Sequence, residues 1–223
     1  MKCHNCSKFK MYSGICGISF YFYQMNLFAS QPINLNLPDA TISYFPTFFD
    51  ASTANGLFNE LKSGIPWQQD DITLFGKTHP QPRLTALFGN EGKPYSYSNI
   101  VMHPHEWNDS LQFIKEAVEE VSGVLFTTVL LNFYRNGKDS NGWHADNEKE
   151  LGTNAVIASV SFGAERIFQL RHNSDKEQKM QLLLEHGSLL LMQGTTQHFW
   201  KHQIPKTAKP IGERINLTFR IIK

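Results

Sequence analysis

The chain has 223 residues and a formal net charge of +1, with 41% hydrophobic and 18% charged side chains, which suits a soluble globular domain with a sizeable core. That balance excludes a disordered chain, and it gives no general basic excess, so any nucleic-acid role has to rest on local clusters. No apolar run reaches the roughly 18 residues of a membrane span, so no membrane partner is expected.

All the cysteines, Cys3, Cys6 and Cys16, lie at the start of the chain. "CHNC" has the spacing of half a zinc site, but a structural site takes four ligands and no second half follows. The rest of the chain is cysteine-free, so disulfides are no part of the main fold and a reducing compartment is expected, cytoplasmic or, in a eukaryote, nuclear. The opening "MKCHNCSKFKMYSGICGISFYFYQ" has early lysines before an apolar stretch, as a signal peptide does. Ser13, Gly14, Gly17 and Ser19 interrupt that stretch, and no small-residue cleavage site follows. Residues 1–24 are therefore expected to be an unstructured or weakly ordered tail, translated from upstream of a start at Met25, with the functional domain over 25–223.

"DASTANGLFNELKSG" predicts a helix capped by Asp50 or Ser52, with Leu57, Phe58 and Leu61 on one face and Gly64 at its end. "NDSLQFIKEAVEEVSG" predicts a second, in which Leu111, Ile114, Val118 and Val121 recur at helical spacing and Gly123 stops the run. Between them "ITLFGKTHPQPRLTALFGNEGKPYSYSN" is rich in Gly and Pro, with short aromatic pieces that suggest hairpins. After residue 123 the pattern turns to β-runs: "VLFTTVLLNFY", "NAVIASVSFG", "RIFQL", "KMQLLLEHGSLLLM" and "RINLTFRII". No amphipathic helix separates them, which disfavours a parallel α/β sheet and favours a β-sandwich or barrel, one sheet covered by the N-terminal helices.

Within this β region "NGWHADNEKE" places His144 and Asp146 two residues apart, on one face of an extended chain. Two histidines and one carboxylate on a facial triangle suit non-haem Fe(II) and leave positions open for co-substrate and O2. A His-x-Asp pair by itself is weak, since a hydrogen-bonded surface pair reads the same way. The third ligand has to come from a distant strand, and His198, His202 and His186 are candidates. The last strand carries more information. Alternation sets Arg214, Asn216, Thr218 and Arg220 on one face, and Ile215, Leu217, Phe219 and Ile221 on the other. Asn132 and Tyr134 alternate in the same way just before His144, so polar rows on two strands flank the possible metal. Arginine suits a carboxylate because its planar fork reaches both oxygens. The competing reading is an edge strand whose arginines face water.

The ordered set "NFY…WHAD…H…RINLTFR" resembles the AlkB family of Fe(II)- and 2-oxoglutarate-dependent dioxygenases, over roughly Leu74 to Lys223. The resemblance implies a double-stranded β-helix (jelly roll), mainly β with N-terminal helices covering one sheet, its core near 123–223. His144, Asp146 and His202 become the expected iron ligands, His202 being preferred because "WKHQIP" fits the family pattern. Arg214 is expected to pair with the far carboxylate of 2-oxoglutarate, helped by Tyr134. Asn132, Asn216 and Arg220 are expected to hold its near end and the liganding carboxylate. The implied reaction consumes O2 and 2-oxoglutarate, hydroxylates an N-linked methyl group, and releases formaldehyde, succinate and CO2.

Residues of about 65–105 resemble the nucleotide-recognition lid of the family's duplex-DNA branch. That likeness implies a monomeric enzyme acting on alkylated DNA, with Phe75, beside Leu74 and Gly76, as a wedge that replaces a flipped base. Tyr95 and Tyr97 are expected to line the base pocket, Glu148 to accept from the exocyclic amine, and Arg83, Lys77, His79, Lys176, Lys179, Lys206 and Lys209 to meet phosphates. Asn147 stands where relatives of this branch often carry Asp, outside the expected ligand set. The same core on RNA or another substrate, and a module that binds modified bases without turnover, are the competing functions.

Overall fold

The computed structural model describes the backbone at residues 31–74, 77–90, 95–97 and 100–223, and the side chains of these residues outside 73–77 and 95–101. Two strands absent from the sequence reading come first, β1 (Ile33–Leu35) and β2 (Thr41–Phe45). Helix α1 (Ala51–Gly64) starts where the Asp50 carboxylate accepts from the Thr53 N–H at 2.8 Å, a cap of about 1 kcal/mol. Its spacing buries Ala54, Leu57 and Leu61. The next segment holds β3 (Asp71–Leu74), β4 (Lys77–Pro80), β5 (Leu84–Gly89), β6 (Tyr95–Tyr97) and β7 (Ile100–Met102). Helix α2 (Asp109–Ser122) is capped by Asn108, which accepts from the Leu111 N–H, and ends at Gly123, whose φ of 71° favours a residue without Cβ.

Eight strands, a single 3-10 turn (Lys149–Leu151) and one short α-helix complete the described chain: β8 (Thr128–Tyr134), β9 (Asn141–His144), β10 (Ile157–Gly163), β11 (Arg166–His172), β12 (Lys179–Leu184), β13 (Ser188–Gln193), α3 (Thr196–Phe199), β14 (Trp200–Ile204) and β15 (Arg214–Arg220). They form a large sheet in the order β1-β2-β13-β10-β15-β8-β5 and a small one in the order β12-β11-β14-β9. The pairings are antiparallel, as the sandwich reading requires. The run "KMQLLLEHGSLLLM" is two strands in different sheets, because the chain turns at Gly187, with φ of 76°.

Alternation along the central strands builds two cores from one sheet. Val129, Leu131 and Phe133 of β8 and Ile215, Leu217 and Phe219 of β15 face the helices, in one cluster with Leu57, Leu61, Leu111, Ile114 and Val118. Each fully buried side chain of this kind contributes about 1.5–3 kcal/mol. The opposite faces point between the sheets, where Leu130 and Tyr134 meet Phe168, Leu170, Leu184 and Trp200. The helices therefore cover the outer face of the large sheet, and the polar rows of β8 and β15 are held in the interior rather than toward water.

The segment expected to be the lid is only partly separate. β3 pairs with β4 and β6 with β7 as two-stranded hairpins, whereas β5 pairs with β8 as an edge strand of the large sheet. Six residues in register with a central strand hold it there, so Leu84–Gly89 belongs to the core scaffold.

Candidate active site

The polar stretch at 141–144 forms a strand because β14 pairs with it, and that pairing sets His144 opposite His202. Their ring centroids stand 4.3 Å apart at 64°. Just past the end of β9, Asp146 turns inward until its Oδ2 lies 3.7 Å from His202 Nε2. One donor atom from each of His144, Asp146 and His202 lies within 4.8 Å of the others.

Protonation fits these groups to a cation. His144 Nδ1 is 2.7 Å from the Gly142 carbonyl, which can only accept, so the proton sits on Nδ1 and the lone pair on Nε2. Asn141 Nδ2 donates to that lone pair at 3.3 Å. Burial and the neighbouring His144 push the His202 pKa down to about 3 despite Asp146, so the imidazole is neutral at physiological pH. For Asp146, burial alone would raise the pKa. The Arg220 guanidinium, 2.6 Å from Oδ1, and the two histidines outweigh it and hold the carboxyl below its usual range. Two neutral imidazoles and one carboxylate are the donor set that non-haem Fe(II) takes.

Beside the triad lies the row predicted from β8 and β15. Register places Arg214 opposite Tyr134, and Asn216 opposite Asn132. Arg214 is 1% exposed, and its Nη2 donates to Ser161 Oγ at 2.9 Å. Its Nε and Nη1 are buried with no hydrogen-bond partner. Burial draws its pKa down to about 10, which leaves it charged at neutral pH. A buried cation with donors to spare suits an anion, and a dicarboxylate co-substrate reaching from the triad would supply one. Fe(II) and 2-oxoglutarate therefore fit the residues present. One cavity between the sheets is lined by the triad together with Asn132, Tyr134, Arg214, Asn216 and Arg220.

The other sequence expectations divide. His186 accepts from the Gly163 N–H through Nδ1, and His198 pairs with Asn154, so neither is in the triad. Glu148 is half-buried, with Oε2 buried and unpartnered. Lys176, Lys179, Lys206, Lys209 and His79 are exposed. Phe75 lies outside the described residues, and for Tyr95, Tyr97 and Lys77 only the strand backbone is described. Arg83 turns inward. It is 4% exposed, donating to Asn132 Oδ1 at 2.6 Å and to the Ser140 carbonyl, because β5 lies in the sheet and turns the side chain inward. It props a pocket residue.

Four residues of the site escaped the sequence reading. Ser159 and Ser161 alternate in "SVS" of β10 and hold Asn216 and Arg214, and the same period-two test would have found them. Arg166 donates to the carbonyls of Asp139 and Pro205 and lies 5.7 Å from the Tyr134 ring, and no sequence signal marks it. Gln197, which accepts from the Asp146 N–H, likewise carries none.

Residues 41–220 match the 2OG-Fe(II) oxygenase superfamily. The chain is 41% identical over 186 residues to the Bos taurus alpha-ketoglutarate-dependent dioxygenase alkB homolog 3, an alignment that covers 79% of this chain and 64% of that protein. It therefore spans somewhat less than two thirds of that relative's length. It is 36% identical over 188 residues to the Mus musculus DNA oxidative demethylase ALKBH2, covering 80% of this chain and 79% of that one. Among solved structures, OsALKBH1 shares the fold, with a TM-score of 0.60 at 16% identity over 86% of this chain and 100% of that one.

Proposed function

The chain belongs to the AlkB family within the 2OG-Fe(II) oxygenase superfamily, and on that premise we propose that it is an Fe(II)- and 2-oxoglutarate-dependent dioxygenase that removes N-linked alkyl groups from DNA bases. The observation that carries this reading is the pairing of the His144–Asp146–His202 set with a buried Arg214 whose Nε and Nη1 lack partners. The substrate class rests on the likeness to relatives whose names record such an activity and on the lid motif in the sequence.

His144, Asp146 and His202 would hold Fe(II), which with 2-oxoglutarate and O2 supplies oxidative hydroxylation of a C–H bond, leaving succinate and CO2. Arg214 takes the far carboxylate of the co-substrate, fixed for that task by Ser161 and assisted by the Tyr134 hydroxyl. Asn132 and Asn216 border its near end, while Arg220 neutralises and orients Asp146. These contacts fix the co-substrate before the base arrives, so the remaining task of the site is to place one methyl carbon correctly. Once hydroxylated on carbon, an N-linked methyl group is a hemiaminal, and it collapses to formaldehyde and the unmodified base.

For the base, the unpartnered Glu148 Oε2 suits an exocyclic amine donor. The lid likeness in the sequence assigns Tyr95 and Tyr97 to the flipped base and Phe75 to the gap it leaves in a duplex. Lesions that block Watson–Crick pairing, such as 1-methyladenine and 3-methylcytosine, flip at least cost and are the preferred substrates. The enzyme acts as a monomer.

Mass spectrometry of oligonucleotides bearing these lesions tests the reading, with iron, 2-oxoglutarate and ascorbate, as duplex DNA, single-stranded DNA and RNA. Loss of one methylene mass, with matching succinate and formaldehyde, is expected only when metal is present. Unchanged oligonucleotides in all three forms would overturn the demethylase reading. Phe75→Ala should depress duplex turnover more than single-strand turnover, and equal effects would remove the wedge.

A further inference from the structure

β9 ends at His144, so the ladder that sets the two histidines against each other stops short of Asp146. The Asp146 side chain is anchored by Arg220, but its backbone needs an anchor of its own. That anchor is Gln197, whose Oε1 accepts from the Asp146 N–H at 2.9 Å. Both residues are buried, at 2% and 1% exposure. A backbone N–H can only donate, so the amide oxygen must face Asp146, and Nε2 then turns to Met192 Sδ at 3.5 Å. A thioether accepts only weakly, so the amide is held mainly by Asp146.

Gln197 hangs from a fixed support. Next to it in α3, Thr196 Oγ1 accepts from the Thr41 N–H at 3.0 Å and donates to the Gln193 carbonyl at 2.5 Å, which ties the short helix to β2 and β13. β14 follows directly and delivers His202. The segment that brings one ligand into the site therefore also grips the turn that brings another, across a separation of 51 residues. Gln197 is absent from the cavity lining, and its strong contact with a lining residue is the one to Asp146, the other being the weak one to Met192.

We propose that Gln197 is a positioning residue for the carboxylate ligand, locking the Asp146 turn to the His202 segment so that the three donors are arranged before metal binds. This rests on the reading of the triad as a metal site. Removing the acceptor leaves a buried N–H unsatisfied, and the turn relaxes toward another partner. A metal site tolerates only about 0.5 Å of such movement.

The test compares the full chain with Gln197→Met, which keeps the length and volume but loses the acceptor, and Gln197→Glu, which keeps an acceptor oxygen. Calorimetric Mn(II) titration of the metal-free proteins should show binding weakened about 10–100-fold in Gln197→Met, the usual effect of losing an outer partner of a ligand. At saturating metal its affinity for 2-oxoglutarate should match wild type, a split that general unfolding would not produce. Hydrogen exchange should show the Asp146 amide protected in wild type and Gln197→Glu and unprotected in Gln197→Met. Should Gln197→Met not fold, Gln197→Ala is read in the same way, and the wild-type amide remains a direct readout. Failure of wild type to bind Mn(II) would remove the metal reading itself. Binding by wild type with unchanged affinity in the folded variant, or an unprotected Asp146 amide in wild type, would overturn the role of Gln197 alone.

Discussion

Acidifying the metal-free protein from pH 7 to pH 5 should destabilise it, and His202 contributes a definite share of the loss. Burial holds the folded imidazole near a pKa of about 3, against the ordinary 6.5 it recovers in the unfolded chain. Folding therefore lowers this pKa, so protons favour the unfolded state, and stability declines as pH falls from about 6.5 toward 3. Each unit in that window is worth about 1.4 kcal/mol, so reaching pH 5 costs about 2 kcal/mol. Asp146 does not enter this window, because its folded pKa lies below the ordinary 3.8 and its contribution is lost only in stronger acid. Urea unfolding with a chelator present, at both pH values, measures the effect against His202→Gln, whose side chain does not titrate there. Wild type should lose about 2 kcal/mol more than the variant over the interval. Parallel losses would mean that the folded site admits a protonated His202, and the neutral-ligand account would fail.

Arg214→Ala should raise the apparent KM for 2-oxoglutarate at least about 100-fold, since two charge-assisted hydrogen bonds of about 1.5–3 kcal/mol each are lost, and leave that for the oligonucleotide unchanged. Steady-state kinetics with each substrate varied in turn checks this, and equal shifts would refute the assignment. His202→Ala should abolish Mn(II) binding by calorimetry, whereas His198→Ala, which removes only a contact to Asn154, should keep it. Asn108→Ala should cost about 1 kcal/mol in urea unfolding through loss of the α2 cap, without altering the metal affinity of the folded protein.

Local chemistry determined a good deal. The boundaries of α1 and α2 follow from Asp50, Asn108 and Gly123, and the inward row of β15 follows from the period-two geometry of an extended chain. The candidate set His144, Asp146 and His202 could be picked out because the order of its motifs matches a known family. Periodicity says which side chains share a face, but it does not say what that face will meet. β9, with its Asn and Gly, is a strand only because β14 supplies its pairing partner. The break at Gly187 sends β12 and β13 to different sheets, and membership of β5 in the large sheet turns Arg83 inward. Gln197 reaches Asp146 only because the two sheets fold over each other. Such contacts join residues far apart along the chain, where neither spacing nor propensity carries a signal, so packing alone decided them.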